Sequence, residues 1–314
     1  MDSVSTILLP FIKLLLLSMV PYIFASQGTM LGGRTGVFNV AQEGIMLVGG
    51  AVGFLAAYLS GSILVGVAAA LAVGALFGLL LAYFTTHLRM DQFVVGLALF
   101  FIAVALSTLL PKLVIGVTLN PPIIPTLPNL PIPLLSRIPL VGDIIFNQNL
   151  MVYSSILLSF ALSYLLYRTS FGLSLRSVGE NPMAADSLGV DVQGMRYLTS
   201  IVGGALIALG GVYLPMVYTG TFTPDMVRGR GWISIALTFF GGWSPIPIFF
   251  GSLFFAGIDV LAQQAQVGGI GIPYQFLQML PFIATILVMV FSFRRARVPA
   301  FLGQNYDREK RSLT

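Results

Sequence analysis

Nine apolar runs, most of them close to the length that crosses a bilayer, dominate this sequence. They fall at 7–25, 44–60, 63–84, 92–110, 150–167, 197–217, 232–242, 246–265 and 274–293. A spanning helix takes about 20 mainly apolar residues, because in hydrocarbon each backbone N–H and C=O must be satisfied within the segment. The expected fold is therefore all-α: a polytopic membrane protein of about eight to ten transmembrane helices, forming a single domain over 1–314. Composition agrees, with 57% hydrophobic and 9% charged residues and a mean hydropathy of +0.94. A soluble domain carries about a quarter charged residues, so this chain could not cover a water-facing surface. The run 232–242 is too short to cross alone and reads as a broken or re-entrant helix, while Gly28, Gly32, Gly33 and Gly36 interrupt the stretch between the first two spans.

The net charge of +5 does not indicate a nucleic-acid partner, because six of the sixteen basic residues sit in the tail: Arg294, Arg295, Arg297, Arg308, Lys310 and Arg311. Lys and Arg concentrate on cytoplasmic flanks. The tail 294–314, the turn His87-Leu88-Arg89 and the loop 168–196 (Arg168, Arg176, Arg196) are accordingly expected in the cytoplasm, and 112–149 outside. Four crossings then separate loop 168–196 from the tail if 232–242 counts as one, and the N-terminus lies outside if 26–43 does not cross. That terminus, with Asp2, no basic flank and Lys13 inside its apolar run, does not read as a cleavable signal peptide. The loop 112–149 holds Pro121, Pro122, Pro125, Pro128, Pro131, Pro133 and Pro139, too many for a helix to propagate. It reads as a hairpin on the membrane surface or a stiff apron that meets a soluble binding protein. The absence of cysteine removes any disulfide framework or thiolate metal site.

Enzymatic constellations are missing from the sequence, and no catalytic residue, metal ligand or cofactor is expected. His87 is the sole histidine. A phosphate-cradling loop needs Gly before Lys, yet Lys13, Lys112 and Lys310 follow Ile12, Pro111 and Glu309. Any ATP must be bound by a partner. Ionisable residues inside apolar runs are costly, so they pair, face the interior or line an aqueous path. Glu43 lies one helical turn from Asn39 and next to Gln42; Asp259 lies one turn from Gln263. These five residues are the candidates for a solute pathway, with a buried hydrogen-bonding role as the alternative for Glu43 and a wet helix end for Asp259. In the polar loop, Asn181 caps and Pro182 opens a short helix that Gly189 ends. Ala184, Ala185 and Leu188 give it a small apolar face, either interfacial or a docking knob for a cytoplasmic partner.

The segment Gly33-Arg34-Thr35-Gly36-Val37-Phe38-Asn39-Val40-Ala41-Gln42-Glu43-Gly44 resembles the N-terminal signature of bacterial nucleoside and simple-sugar ABC transporter permeases, relatives of the branched-chain amino acid and ribose permeases. Ser177–Val190 is similar to their coupling loop. Gly229-Arg230-Gly231-Trp232 with Gly241-Gly242-Trp243-Ser244-Pro245, and Ile272-Pro273-Tyr274-Gln275 through Pro281, resemble their later signatures in the same order. The resemblance implies an importer of two permeases and two ATPase subunits in the bacterial cytoplasmic membrane, fed by an extracytoplasmic binding protein or lipoprotein, passing a small-molecule solute by alternating access. It implies ATPase coupling through Gly179, Glu180, Asn181, Pro182, Ala184, Ala185, Leu188 and Gly189. The segment beginning Met90-Asp91-Gln92 looks like the shorter of two paralogous permeases, which implies a heteromeric pair and adds Gln92 to the pathway candidates. Phe100 stands where the family usually carries a polar residue, so simple sugars and branched-chain amino acids stay open beside nucleosides. An ion-coupled secondary transporter, with Glu43 and Asp259 as ion sites, is the alternative from outside the family.

Overall fold

The structure, a computed structural model, describes residues 2–117, 121–133, 136, 141–267, 273–292 and 298–307. Among them seven helices are long and apolar enough to cross a bilayer. They lie in α1 (Asp2–Arg34), α2 (Gln42–Ser60), α3 (Ile63–Ala82, prolonged by a π-helical turn Tyr83–His87), α4 (Gln92–Val114), α6 (Leu150–Arg168), α9 (Val192–Tyr213, prolonged by a π-helical turn Leu214–Thr219) and α11 (Pro245–Val267). Beside them stand α12 (Tyr274–Ser292) and the half-length α10 (Arg230–Phe240). α7 (Ser170–Glu180) and α8 (Pro182–Ser187) join α6 to α9.

α9 is the axis of the bundle, with α1, α2 and α3 laid against it. Apolar side chains gain little by leaving lipid for protein, so helices in a membrane associate where small residues let backbones touch. Gly203 of α9 meets Gly28 of α1, and a Cβ on Gly203 would stand 2.5 Å from the Gly28 carbonyl oxygen. Gly204 meets Gly74 and Gly78 of α3 in the same way. This corrects the reading of Gly28, Gly32 and Gly33 as interruptions: α1 runs unbroken through all three to Arg34, and the first span is longer than 7–25. Gly33 leaves room for the Trp243 ring, which is fully buried against it. The break comes after Arg34, with Gly36 at φ +87°.

One end of the bundle gathers α7, α8, the 88–91 turn and residues 298–307, joined by an Arg89–Asp307 ion pair at 2.7 Å and a Tyr306–Asp186 hydrogen bond at 3.0 Å. Between α8 and 298–307 the chain runs in order through α9, residues 220–229, α10, α11 and α12. The six basic tail residues that set the expected orientation lie outside the described residues, as does Ile272.

The opposite end carries the Pro-rich segment, and there the structure departs from a purely helical fold. A two-stranded antiparallel ladder pairs β1 (Asn129–Pro131) with β2 (Asn147–Asn149), Leu130 opposite Gln148, and a single turn α5 (Val141–Ile145) precedes β2. Pro139 falls outside the described residues. The described part neither floats nor lies free. Ile124 N donates to Gly220 O at 2.7 Å and Leu127 N to Met216 O at 2.8 Å, so the segment closes over the end of α9.

Candidate solute pathway and coupling surface

Residues 35–41 leave the helix and run irregularly into the interior before α2 starts. Their backbone groups need partners, and Gln92 at the head of α4 supplies them. Phe38 N donates to Gln92 Oε1 at 2.7 Å, and Gln92 Nε2 donates to Gly36 O at 3.3 Å and Gln304 O at 3.2 Å. Asn39 Oδ1 accepts from Ala41 N at 2.9 Å, and Gln42 Nε2 donates to Asn39 O at 3.3 Å. Asn39, Gln42 and Gln92 are all buried. They build the turn into α2; Asn39 faces a small pocket of ≈ 10 Å³ beside Gly28 and Gly203, and none of the three is among the residues lining the larger cavity of ≈ 360 Å³.

Glu43 sits at the start of α2, 7% exposed. Its Oε1 accepts from Gly229 N at 2.8 Å and its Oε2 from Gly231 N at 2.7 Å. Those amides open α10, whose first turn has no intrahelical acceptors for them. A carboxylate there satisfies donors and meets the positive end of the helix dipole. Close approach again depends on glycine: a Cβ on Gly231 would lie 2.6 Å from Glu43 Cα. Of the two roles weighed for Glu43, this geometry is the hydrogen-bonding, helix-end one.

Arg230, between the two amides, turns away from Glu43. Its Nη2 donates to Asp259 Oδ2 at 3.1 Å, and the Tyr22 hydroxyl donates to the same oxygen at 3.0 Å. Asp259 of α11 is thus tied to both α10 and α1. The ion pair, with side chains about one-sixth exposed, stands in the wall of a cavity of ≈ 360 Å³. Asp225, Arg228, Gln263, Gln266 and Gln278 supply further polar lining, and Leu277 and Phe282 an apolar wall. Of the pathway residues read from sequence, the fold brings Asp259 and Gln263 to the cavity and puts Glu43 directly behind it. Tyr22 was missed because its hydroxyl is one polar atom in a long apolar run. Arg230 had a signal, an arginine flanked by glycines at the head of a run too short to cross.

At the tail end, Asn181 Oδ1 accepts from Ala184 N at 3.0 Å, Pro182 opens α8, and Gly189 has φ +84°. The apolar face divides in two. Ala185 is 2% exposed, packed with Val178, Val192 and Tyr306, whereas Ala184 is exposed and Leu188 is 85% exposed. The outward surface of α8 is therefore Met183, Ala184, Ser187 and Leu188, and Ala185 belongs to the chain's own packing.

A helical bundle with interrupted helices beside a polar cavity, and a short capped helix presented from one end, is the architecture of a membrane transport subunit, and its relatives say of which kind. The fold is that of a metal-chelate type ABC transporter solved in an inward-facing conformation, with a TM-score of 0.50, 17% identity, and coverage of 90% of this chain and 85% of that one. Residues 11–293 match the model of the branched-chain amino acid transport system / permease component family, and the chain belongs to that family. It is 36% identical to the nucleoside ABC transporter permease protein NupC of Lactococcus lactis subsp. cremoris, over 99% of this chain and all of the relative. It is 34% identical to the guanosine ABC transporter permease protein NupQ of Bacillus subtilis, over 93% of this chain and 94% of the relative. The chain is the multi-pass permease subunit of an ABC importer; ATP hydrolysis and solute capture belong to the ATPase and binding-protein partners that this family implies.

Proposed function

We propose that this permease imports nucleosides across the bacterial cytoplasmic membrane, paired with a second, homologous permease. One observation carries the substrate class. Among the described residues the cavity wall holds two arginines and two aspartates, whose charges balance, with three glutamines and the rings of Tyr22 and Phe282. Such a wall favours an uncharged solute with hydrogen-bonding edges and a flat apolar face, which describes a nucleoside better than a nucleotide or an amino acid zwitterion. Full-length similarity to nucleoside and guanosine permeases supports the same class. Asp259 and Gln263 touch the solute as it passes, and Glu43 keeps the mouth of α10 in shape. The outward face of α8, on the cytoplasmic side, docks the ATPase, while the segment over the end of α9 meets the binding protein. Closure of the ATPases switches the cavity from one side to the other.

The test is uptake of labelled guanosine by proteoliposomes holding the two permeases, the ATPase and the binding protein. ATP-dependent uptake should be competed by other nucleosides and left unaffected by nucleotides, leucine and glucose. Uptake of glucose or leucine in place of nucleosides would overturn the substrate class and leave the permease assignment intact.

A further inference from the structure

We propose that residues 298–307 are a clasp that positions the coupling helix α8, so that force applied to α8 reaches the interrupted start of α2 and not α8 alone. This rests on reading α8 as the ATPase dock. A tail of this kind has a simpler use as a charged topology signal, and sequence pattern suggests nothing more. Its described part, however, is bound into the protein at every turn. Phe301 N donates to Gly179 O at 2.9 Å and Gly303 N to Gly36 O at 3.1 Å. Ala300 N faces Glu180 Oε2 at 3.4 Å, and Asn305 Nδ2 donates to Arg89 O at 2.6 Å and Met90 O at 3.0 Å. The Gln304 carbonyl accepts from both Gln92 Nε2 and Arg196 Nη2, each at 3.2 Å. Arg196 is fully buried, and its Nε donates to Thr35 O at 3.1 Å. Residues 298–307 thus find partners on five separate segments: the end of α7, Gly36, the 88–91 turn, and the heads of α4 and α9.

α8 needs such an anchor. Six residues cannot hold their own shape or position in water, and among the described elements α8 packs mainly on α7 and the start of α9. Tyr306 completes its support: 6% exposed, it packs under Ala185 and donates from its hydroxyl to Asp186 at 3.0 Å. From Tyr306 the contacts continue to the Gln304 carbonyl, Gln92 and Phe38 N, five residues before the carboxylate of Glu43 that caps α10. Tyr306 is therefore a positioning residue. It touches neither solute nor nucleotide.

The experiment compares uptake per ATP hydrolysed in reconstituted wild-type, Tyr306→Phe and Tyr306→Ala complexes, normalised to assembled complex. Losing the ring and a hydrogen bond to a charged group should reduce uptake per ATP about tenfold in Tyr306→Ala, with hydrolysis no longer stimulated by loaded binding protein. Tyr306→Phe keeps the ring and should fall in between. A merely structural residue would lower the amount of complex and leave the ratio unchanged; that result in Tyr306→Ala overturns the proposal. If Tyr306→Ala fails to assemble, an unchanged ratio in Tyr306→Phe overturns it. Ala184→Trp on the outward face separates the two ideas. ATPase association that survives this change removes the docking role of α8, whereas its loss beside normal coupling in the Tyr306 variants removes the clasp alone.

Discussion

A carboxylate among apolar helices has to spend both oxygens, and Glu43 spends them on the amides of Gly229 and Gly231. Glu43→Ala would leave two buried N–H groups without an acceptor. Each hydrogen bond to a charged group contributes about 1.5–3 kcal/mol, so a loss of about 3–6 kcal/mol in the stability of the folded permease is expected, with uptake lost alongside. Glu43→Gln keeps one acceptor and turns an amide donor toward the other N–H, so it should lose roughly half as much. Thermal unfolding in detergent with uptake at equal expression checks this; a stable Ala variant lacking uptake would return Glu43 to solute contact. Sequence singles out Glu43 because a charge in an apolar run is conspicuous. Its partners were not legible, since backbone amides look alike in sequence and these lie 186 and 188 residues away. Asp259 was conspicuous for the same reason; of the two residues that hold it, Tyr22 was hidden in an apolar run, while Arg230 was marked by its flanking glycines without any sign of its partner.

Helices were the most readable part of this chain because each spanning segment must be apolar along its own length, which is a local property. The cap of α8 was readable too, since Asn181, Pro182 and Gly189 fix its ends through neighbours only. Glycines in α1 were misread as breaks because a glycine that loosens a helix and one that admits a neighbouring backbone are the same letter. The choice between them depends on α9, which no local pattern contains. Gly203→Val is the direct test of the close approach. Its added methyls would meet Gly28, force α1 away from α9 and cost about 1–3 kcal/mol or more. Gly61→Ala, whose Cβ would meet nothing within 4 Å but whose φ is +68°, serves as a backbone-strain control that leaves the bundle contacts intact. Helix packing read by cross-linking of α1 to α9 should fall in the first variant and persist in the second.

The assembled bundle has two unlike ends, and the mechanism depends on which faces the cytoplasm. Positive charge on the 168–196 loop and in the tail argues for the end with α8. The fold adds that the 88–91 turn with Arg89, α7 with Arg176, α8 and residues 298–307 converge at one end, hydrogen-bonded to one another. They cannot be split between two sides of a membrane, so one orientation applies to them all. α1 ends beside them, because Arg34 Nε donates to Trp243 O at 2.6 Å and Gly179 abuts the Arg34 carbonyl. Its first residues are therefore at the other face, together with Val117. The natural chain has no cysteine, so each introduced thiol is unique. Leu188, 85% exposed, and Val117, 91% exposed, are open positions at opposite ends. A membrane-impermeant maleimide added to intact cells should label Val117→Cys and spare Leu188→Cys. In inverted vesicles stripped of the ATPase the pattern should reverse, and adding the ATPase back should protect Leu188→Cys. Labelling of Leu188→Cys from outside intact cells would turn the whole molecule over, and with it the assignment of α8 as the surface on which ATP hydrolysis acts.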